Sequence, residues 1–188
     1  MQKLKSHEIK RISVEDFKKS SKNPITIVLD NVRSALNVGS IFRTSDAFLI
    51  DKIILCGITA TPPNKDIRKS ALGANNSIKW EYFEKTEDAI KILKSKKNQI
   101  IAIEQTTNSK KLNQLRKIIK PITLIFGNEV DGISDNILKY CDEAIEIPQF
   151  GTKHSLNISV AAGIAIWEIW RKIKKWNQNK YPSPKDKE

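Results

Sequence analysis

Short apolar runs rich in β-branched residues alternate along the chain with segments of helical periodicity. Continuous apolar strands that alternate with helices are typical of a sheet covered on both faces. The pattern therefore predicts an α/β fold with a mostly parallel sheet and helices on both faces. The predicted strands are Ile25–Asp30, Lys52–Cys56, Trp80–Phe83, Ile100–Glu104, Ile122–Phe126 and Ala144–Ile147. The predicted helices are Val38–Leu49, Thr86–Ser95, Ser134–Tyr140 and Leu156–Trp176.

Polar side chains stand at the start of three predicted helices. Asn37, Thr86 and Ser134 are expected to cap free backbone N–H groups there. The connection 57–79 is predicted to contain at most one short helix, and connections of that length tend to be functional. It is either a functional loop or a solvated surface excursion.

The net charge of +12 on 188 residues indicates a polyanionic partner, either a nucleic acid or an acidic membrane surface. Residues 1–22 carry a net charge of +4 and residues 171–188 carry +5, so the segment between them holds only +3. The charge divides the chain into a basic N-terminal extension (1–22), one domain (23–176) and a polar basic tail (177–188). The two basic ends are expected to bind this polyanionic partner.

Other compositional features narrow the class of protein. Cys56 and Cys141 are far apart and are expected to be core residues, and His7 and His154 are isolated, so no protein-bound metal is expected. The N-terminus shows no apolar leader, and the longest apolar stretch is too short to span a bilayer. We therefore expect a cytoplasmic protein that binds no membrane.

The first of three polar clusters is the segment 37–43. No glycine-rich dinucleotide-binding or P-loop signature is present, and ligands of open parallel sheets bind where strands end. Within the cluster, Gly39 would let another backbone approach closely, and Arg43 lies about six residues after Asn37, or roughly one and a half turns of helix. On the local pattern alone, Arg43 could also pair with a surface carboxylate.

The second and third clusters follow later strands. Glu129 comes shortly after the most apolar strand, and Gly127 would allow a sharp turn or a ligand against the backbone. Glu129 could also be a solvated residue of a helix-entry turn. Ser155 and Asn157 lie where the last helix begins, a position that suits ligand binding but equally suits simple caps. His154 is interpreted as a bystander.

In spacing and order, these clusters resemble the three motifs of the SpoU, or TrmH-type, RNA methyltransferases of the SPOUT superfamily. The first matches as Asn37…Arg43-Thr-x-Asp-Ala-Phe and the second as Phe126-Gly-Asn-Glu-x-x-Gly132. The third matches as Ile147-Pro…Ser155-Leu-Asn-Ile-Ser-Val-Ala. The resemblance spans about residues 25–170.

The resemblance implies an α/β domain with a deep C-terminal trefoil knot. It also implies an enzyme that transfers a methyl group from S-adenosylmethionine (AdoMet) to a ribose 2′-hydroxyl of a structured RNA, a tRNA or an rRNA. The implied catalytic residues are Asn37, Arg43, Glu129, Ser155 and Asn157. The implied AdoMet contacts are Glu104, Gln105, Thr106, Gly127, Ile147 and Leu156. The candidate RNA contacts are Arg33, Lys65, Arg68 and Lys69.

Two chains are implied to pair so that the arginine of one faces the AdoMet bound by the other. An arginine is a poor base because its pKa is above ~12. We therefore expect Arg43 to hold a phosphate at two points and to orient the hydroxyl. An apolar stripe in the last helix favours a homodimer over the alternative, which is packing of the stripe in the core. The stripe is Ile166, Ile169, Trp170 and Ile173, with Trp167 and Trp176 beside it.

Two alternative functions stay open at the level of sequence. The chain could be a non-catalytic RNA-binding protein of the same fold, or a SPOUT enzyme that methylates a base nitrogen. The segment Ser155-Leu-Asn157 favours ribose only through the family resemblance.

Overall fold

The computed structural model describes residues 2–5, 7–9, 11–115, 118 and 121–177. Within these residues, seven parallel strands form one sheet in the order β3-β2-β1-β6-β4-β7-β5. The strands are β1 (Asn23–Asp30), β2 (Ile50–Cys56), β3 (Lys79–Phe83), β4 (Gln99–Ile103), β5 (Lys110–Lys111), β6 (Ile122–Phe126) and β7 (Glu143–Glu146). The helices are α1 (Val14–Lys19), α2 (Ala35–Ala47), α3 (Lys65–Ala71), α4 (Ala74–Ser77), α5 (Thr86–Ser95), α6 (Asp135–Leu138) and α7 (Ile158–Asn177), with one 3₁₀ turn at Leu112–Gln114.

The central strands are buried on both faces, which confirms the predicted α/β architecture. In β1, the side chains of Ile27 and Leu29 belong to one hydrophobic core, whereas Val28 between them belongs to the other. Helices α2 and α7 contribute to the first core, and α5 and α6 contribute to the second. The sheet is therefore the middle layer of three, and its buried faces explain the continuous apolar runs in the sequence.

Several predicted elements need correction. The connection 57–79 contains two helices, α3 and α4, where at most one was predicted. Helix α2 begins at Ala35, and its cap is Ser34, whose hydroxyl accepts from the Asn37 N–H at 3.3 Å. Asn37 is therefore not the cap, and its side chain is available for other contacts.

The other two predicted caps also differ from expectation. Thr86 is the first residue of α5, and its hydroxyl donates to the buried carboxylate of Asp30 at 2.6 Å. Burial raises the pKa of Asp30 above its ordinary value, although the hydrogen bonds from Thr86 and Asn31 oppose that rise. Ser134 does stand at the cap position of α6, but its side chain makes no capping hydrogen bond.

The apolar stripe of α7 is core and not a subunit interface. Ile166 and Ile169 are fully buried, Ile173 is 4% exposed, and Trp170 is partly buried against the same core. The side chain of Trp176 lies outside the described part of the chain. The interface argument built on this stripe was therefore wrong, because periodicity cannot tell which partner covers a helix face.

The N-terminal extension is not uniform. Phe17 in α1 is 4% exposed and belongs to the first core. The ammonium group of Lys22 lies 4.4 Å from the centre of the Phe17 ring and donates to the Ser20 carbonyl at 2.9 Å. Residues 14–22 therefore pack on the domain. Of the tail 177–188, all but Asn177 lies outside the described residues.

Both cysteines pack against the second core, as expected. Cys56 is fully buried and Cys141 is partly buried. Burial raises the pKa of the Cys56 thiol to about 12 and that of Cys141 to about 11. Neither thiol is therefore suited to nucleophilic chemistry at neutral pH.

Helix α2 packs closely on α3 through Gly39, as the sequence predicted for this residue. An added Cβ there would overlap the Ile67 carbonyl oxygen and would lie 3.0 Å from Ile67 Cα. A backbone contact of this kind cannot relax by a side-chain rotation. The close approach therefore requires a glycine at position 39.

We predict that Gly39→Ala lowers the free energy of unfolding by about 1–3 kcal/mol, as overpacked cores do. Gly151→Ala is the control, because Gly151 is an exposed loop residue and nothing stands within 4 Å of its added Cβ. That control should be neutral or stabilising by up to ~1 kcal/mol, since alanine leaves fewer conformations to the unfolded chain than glycine does. Chemical denaturation of both variants tests the contrast, and equal stabilities would contradict it.

Candidate active site

A pocket of 490 Å³ opens at the carboxyl ends of three neighbouring strands, β4, β6 and β7. The first residues of α7 form its remaining wall. Apolar side chains line one part of the pocket and polar groups line another. The apolar residues include Ile103, Phe126, Ile147, Leu156 and Ile158, and the polar ones include Glu104, Gln105, Glu129, Ser155 and Asn157.

The loop after β6 folds back on itself. Asn128 and Gly132 exchange backbone hydrogen bonds, and the Asn128 side chain accepts from the N–H groups of Val130 and Asp131 at 2.9 and 2.8 Å. A Cβ at Gly127 would overlap the backbone of Gly132. Gly127 therefore allows the loop to return close to its own start. Residues 127–132 form one wall of the pocket.

The carboxylate of Glu104 holds the far end of this loop. It accepts from the Ile133 N–H at 3.0 Å and from the N–H of its neighbour Gln105 at 2.9 Å. A Cβ at Gly132 would overlap this carboxylate. Glu104 lines the pocket as predicted, but its charged group is already used to connect the ends of β4 and β6.

A chain of polar side chains joins the three sequence motifs. Glu129 Oε1 accepts from Asn37 Nδ2 at 3.0 Å, and Asn37 Oδ1 accepts from Asn157 Nδ2 at 3.2 Å. Glu129 also accepts from the backbone N–H groups of Arg33 at 2.9 Å and Ser34 at 3.1 Å. Residues more than 90 positions apart thus meet beside the pocket.

Hydrogen bonding keeps Glu129 charged. Desolvation alone would raise its pKa, but the N–H groups of Arg33 and Ser34 and the amide of Asn37 together hold the pKa below its ordinary value. An anion whose oxygens already accept three hydrogen bonds is a weak base. Glu129 is therefore suited to positioning Asn37 and the start of α2.

The pocket includes most, but not all, of the residues expected to contact AdoMet. Gln105, Gly127, Ile147 and Leu156 line it, as does Glu104. Thr106 does not. Its backbone N–H instead donates to Ser109 Oγ at 3.2 Å, within the turn that follows β4.

Arg43 lies outside the pocket of its own chain. Its side chain is exposed on α2 and makes no hydrogen bond or ion pair with any described residue. Four residues of α2 share this solvent-facing stripe at helical spacing: Leu36, Ser40, Arg43 and Ala47. The alternative, in which Arg43 pairs with a surface carboxylate, is therefore not observed within the described part of the chain.

The candidate RNA contacts all lie on the surface. Lys65, Arg68 and Lys69 are exposed on α3, which packs against α2. The side chain of Arg33 is 57% exposed and stands 3.9 Å from a carboxylate oxygen of Asp131. None of the four lines the pocket.

One contact at the pocket was not predicted. Gln105 Nε2 donates to the backbone carbonyl of His154 at 2.7 Å and so joins the loop after β4 to the loop before α7. The acceptor is the backbone carbonyl of His154. A search of the sequence for a functional imidazole would therefore not have indicated this bond. His154 also lines the pocket.

Two further features of the described residues concern metals and membranes. They contain no group of three or more His, Cys, Asp or Glu side chains that could hold a metal ion. No helix formed by residues of this part of the chain is long and apolar enough to cross a bilayer.

The fold and the pocket together define an α/β protein that binds a small ligand at the carboxyl ends of parallel strands. Residues 24–167 match the model of the SpoU rRNA Methylase family. The chain belongs to this family.

Individual relatives agree with this assignment. The tRNA (guanosine(18)-2′-O)-methyltransferase of Aquifex aeolicus (strain VF5) is 32% identical over 166 residues, which cover 87% of this chain and 77% of the relative. The crystal structure of the A. aeolicus TrmH/SpoU tRNA modifying enzyme matches with a TM-score of 0.77 at 27% identity, over 92% of this chain and 87% of that one.

The AdoMet-bound rRNA methyltransferase from Sinorhizobium meliloti has a TM-score of 0.75 at 29% identity. The match covers 82% of this chain but only 59% of that one, so this chain spans little more than half of that protein. These structures confirm the fold. The trefoil knot that the resemblance implies stays a prediction.

We predict that Glu129→Gln lowers the melting temperature at pH 7 by roughly 2–4 °C, because an amide cannot accept all three hydrogen bonds. The pKa of Glu129 is lower in the folded protein, so the carboxylate stabilises the fold above about pH 4.5 and loses this effect as the pH falls further. The difference from wild type should therefore shrink between pH 5 and pH 3.

Asp131→Asn is the matched control for this measurement. Asp131 lies two residues further along the same loop, and its side chain is 72% exposed. Its substitution should change the melting temperature little at pH 7. A Glu129→Gln deficit that stayed constant down to pH 3 would contradict the role assigned to the charge.

Proposed function

We propose that the chain is an AdoMet-dependent methyltransferase that modifies a ribose 2′-hydroxyl of a structured RNA, either a tRNA or an rRNA. The observation that carries this proposal is the polar chain Glu129–Asn37–Asn157, which brings residues of all three motifs beside one pocket. The named activities of the relatives, 2′-O-methylation of tRNA and methylation of rRNA, support it. We further propose that the enzyme is cytoplasmic.

The pocket suits AdoMet in size and chemistry. Its volume of 490 Å³ is ordinary for a small-molecule site. The apolar ends of three strands (Ile103, Phe126, Ile147) suit an adenine ring, and Gln105 and Asn157 offer polar groups for the ribose and amino acid parts. When bound, AdoMet supplies a methyl group activated by its sulfonium centre.

The protein's own residues would align the acceptor and exclude water. Methyl transfer is an in-line displacement, so orientation of the 2′-oxygen contributes several kcal/mol. Glu129 holds Asn37 and the start of α2, and Asn37 in turn orients Asn157 at the pocket. Ser155 lines the same wall. The proton of the hydroxyl leaves to an RNA phosphate or to water.

Arg43 would act by holding the phosphate next to the acceptor ribose. A guanidinium grips a phosphate at two points, and its pKa above ~12 makes it unsuited to accept the proton. Arg43 is exposed and outside the pocket of its own chain. This position supports an arrangement in which it serves the pocket of a second copy.

We therefore propose a homodimer that uses the exposed face of α7 next to the buried stripe. This face includes Trp167, which the sequence placed beside that stripe. Val160, Ile164 and Trp167 repeat at helical spacing and are 51%, 39% and 49% exposed. Leu36, on the same stripe of α2 as Arg43, is 46% exposed. Because α2 packs against α7, a partner that covers this apolar surface would also approach Arg43.

The basic ends and the surface cations are proposed to bind RNA. We propose the division into an extension (1–22), a methyltransferase domain (23–176) and a tail (177–188), with residues 14–22 packed on the domain. The exposed cations Arg33, Lys65, Arg68 and Lys69 would extend the RNA-binding surface. Phosphate contacts of this kind weaken as salt rises.

The proposed function is tested by methyl transfer and by analysis of the product. AdoMet should bind by calorimetry, and labelled methyl groups should be transferred to total tRNA or to rRNA. Digestion of the product should give a nuclease-resistant 2′-O-methyl dinucleotide. A methylated base would instead identify a base methyltransferase, and RNA binding without AdoMet binding would identify a non-catalytic protein.

We predict that Arg43→Lys loses activity nearly as completely as Arg43→Ala, because an ammonium group lacks the planar two-point grip. AdoMet affinity should hardly change in either variant. Turnover on the RNA substrate and AdoMet calorimetry test this together. Near-normal turnover of the lysine variant would exclude the orienting role.

Mixed dimers test whether Arg43 serves the partner's pocket. The Arg43→Ala chain is refolded in equal amounts with an Asn157→Ala chain, which loses a pocket residue but keeps the contacts of Glu129 with α2, and the mixture is compared with each variant alone. Half of the dimers would be mixed, and each would carry one intact site, so about a quarter of wild-type activity should return if the arginine acts across the interface. No gain over the separate variants, or a monomer by light scattering, would contradict the arrangement.

A further inference from the structure

A second cleft lies at the amino ends of β2 and β3, whereas the AdoMet pocket lies at the carboxyl ends of the strands. Its volume is 520 Å³, and it is lined by Lys18 and Lys22, by Asp51 at the start of β2, and by residues 75–80 of α4 and β3. Strand β2 has seven residues. At ~3.3 Å per residue, the amino and carboxyl ends of such a strand are roughly 20 Å apart. We call this second site the basic cleft.

The basic cleft has an excess of positive charge that the protein does not neutralise. Lys18, Lys22 and Lys79 line it against one acid, Asp51. Lys18 makes no hydrogen bond or ion pair with any described residue. The side chain of Lys79 is 71% exposed and reaches Glu81 only at 3.8 Å, while Glu81 pairs with Lys52 at 2.9 Å. Two ammonium groups are thus available to an external anion.

Lys22 has a different part in the cleft. It donates to the Ser20 carbonyl at 2.9 Å and to Ser20 Oγ at 3.1 Å, and it also donates to the Phe17 carbonyl. These local bonds close the carboxyl end of α1 on the residue that precedes β1 and fix one wall of the cleft. The Lys22 ammonium therefore contributes charge and rigidity, whereas Lys18 and Lys79 contribute donors.

An aromatic ring and two amides accompany the lysines. Trp80 lines the cleft and is only partly buried. Asn75 Nδ2 donates to Asn76 Oδ1 at 3.0 Å, which leaves Asn75 Oδ1 and Asn76 Nδ2 without a partner among the described residues. Trp80 also packs against the first core, which holds it in place. An aromatic side chain together with a free amide donor, a free amide acceptor and cations is the combination that binds unpaired nucleotides.

We propose that the basic cleft binds an unpaired nucleotide of the RNA substrate, with the base on Trp80 and the amides and the flanking phosphates on Lys18 and Lys79. The cleft is roughly 20 Å from the AdoMet pocket of the same chain, so a nucleotide bound in it is not the one methylated in that pocket. The inference rests on the proposed action on RNA. It adds a contact that selects RNA by an unpaired nucleotide.

Nucleic acid fits the cleft better than an acidic membrane surface does. Membrane-binding surfaces place exposed apolar side chains beside their cations. Here Ile78 is 3% exposed and Trp80 packs partly buried against the first core, while the other neighbours of the lysines are Asp51, two asparagines and a serine. Hydrogen-bonding amides are of use against base edges and of little use against acyl chains. Vesicles containing phosphatidylserine provide the comparison in the experiment.

The test uses the full chain and two labelled probes, a short oligouridylate and an abasic strand of equal length. Lys18→Gln/Lys79→Gln should weaken binding of both probes and reduce the salt slope by about 1.4, or ~0.7 per lost phosphate contact. Asn75→Ala/Asn76→Ala and Trp80→Leu should weaken the oligouridylate, by ~10-fold for the tryptophan, and leave the abasic strand unchanged.

Lys96→Gln/Lys139→Gln is the matched control, since both lysines are exposed and lie at the ends of α5 and α6, on the other face of the sheet. It should bind both probes like wild type. The asparagine variant keeps the test valid if Trp80→Leu does not fold. Equal losses in the control and the cleft variants, or vesicle binding that depends on Lys18 and Lys79 without oligouridylate binding, would overturn the proposal.

Methyl transfer by the same proteins separates the two hypotheses. If the cleft variants raise the KM for RNA and leave AdoMet binding unchanged, both the cleft proposal and the proposed methyltransferase function stand. If wild type transfers methyl groups and the cleft variants behave identically, only the cleft proposal fails. If the cleft binds oligouridylate but no methyl transfer occurs with any RNA, only the proposed function fails.

Discussion

Two carboxylates hold the loop between β6 and α6, and the pocket depends on them. Glu129, on the loop, accepts from the backbone at the start of α2, while Glu104, at the end of β4, accepts from the loop at Ile133. Each uses its charge to satisfy backbone N–H groups that no regular element would satisfy. The loop is thereby tied to strand ends on both sides of β6. Gly127 and Gly132 make this possible, since a side chain at either position would overlap the neighbouring backbone or the Glu104 carboxylate.

The layered fold could be predicted because burial leaves a clear pattern in the sequence. All six predicted strands are present, and β6, all of whose residues are buried, has the predicted bounds. The missed elements lack such a pattern. Strand β5 is a pair of exposed lysines, and α1 and α4 each offer too few buried residues for a period to be recognised. The first turn of α2 was missed because Leu36 is exposed.

The residues of the site could be named from the motifs, but their contacts could not. Local sequence carries no information on bonds between positions as distant as 37, 129 and 157, and Asn37 was misread as a cap because a cap is what its local position suggests. The Gln105–His154 bond uses a backbone carbonyl, which every residue has. The stripe of α7 was misassigned for a related reason. An apolar face has the same periodicity whether a strand or a second chain covers it.

The bond from Asn37 to Glu129 also fixes the direction of every group behind it. A carboxylate can only accept, so Asn37 must present its nitrogen to Glu129 and its oxygen to Asn157. Asn157 must then donate to Asn37, and its own oxygen is left to accept from Ser159 at 2.8 Å. One negative charge thus determines the orientation of two side-chain amides and, through them, the first turn of α7. An aspartate at position 37 could still accept from Asn157, but it would have no hydrogen to donate to Glu129 and would set two anions against each other.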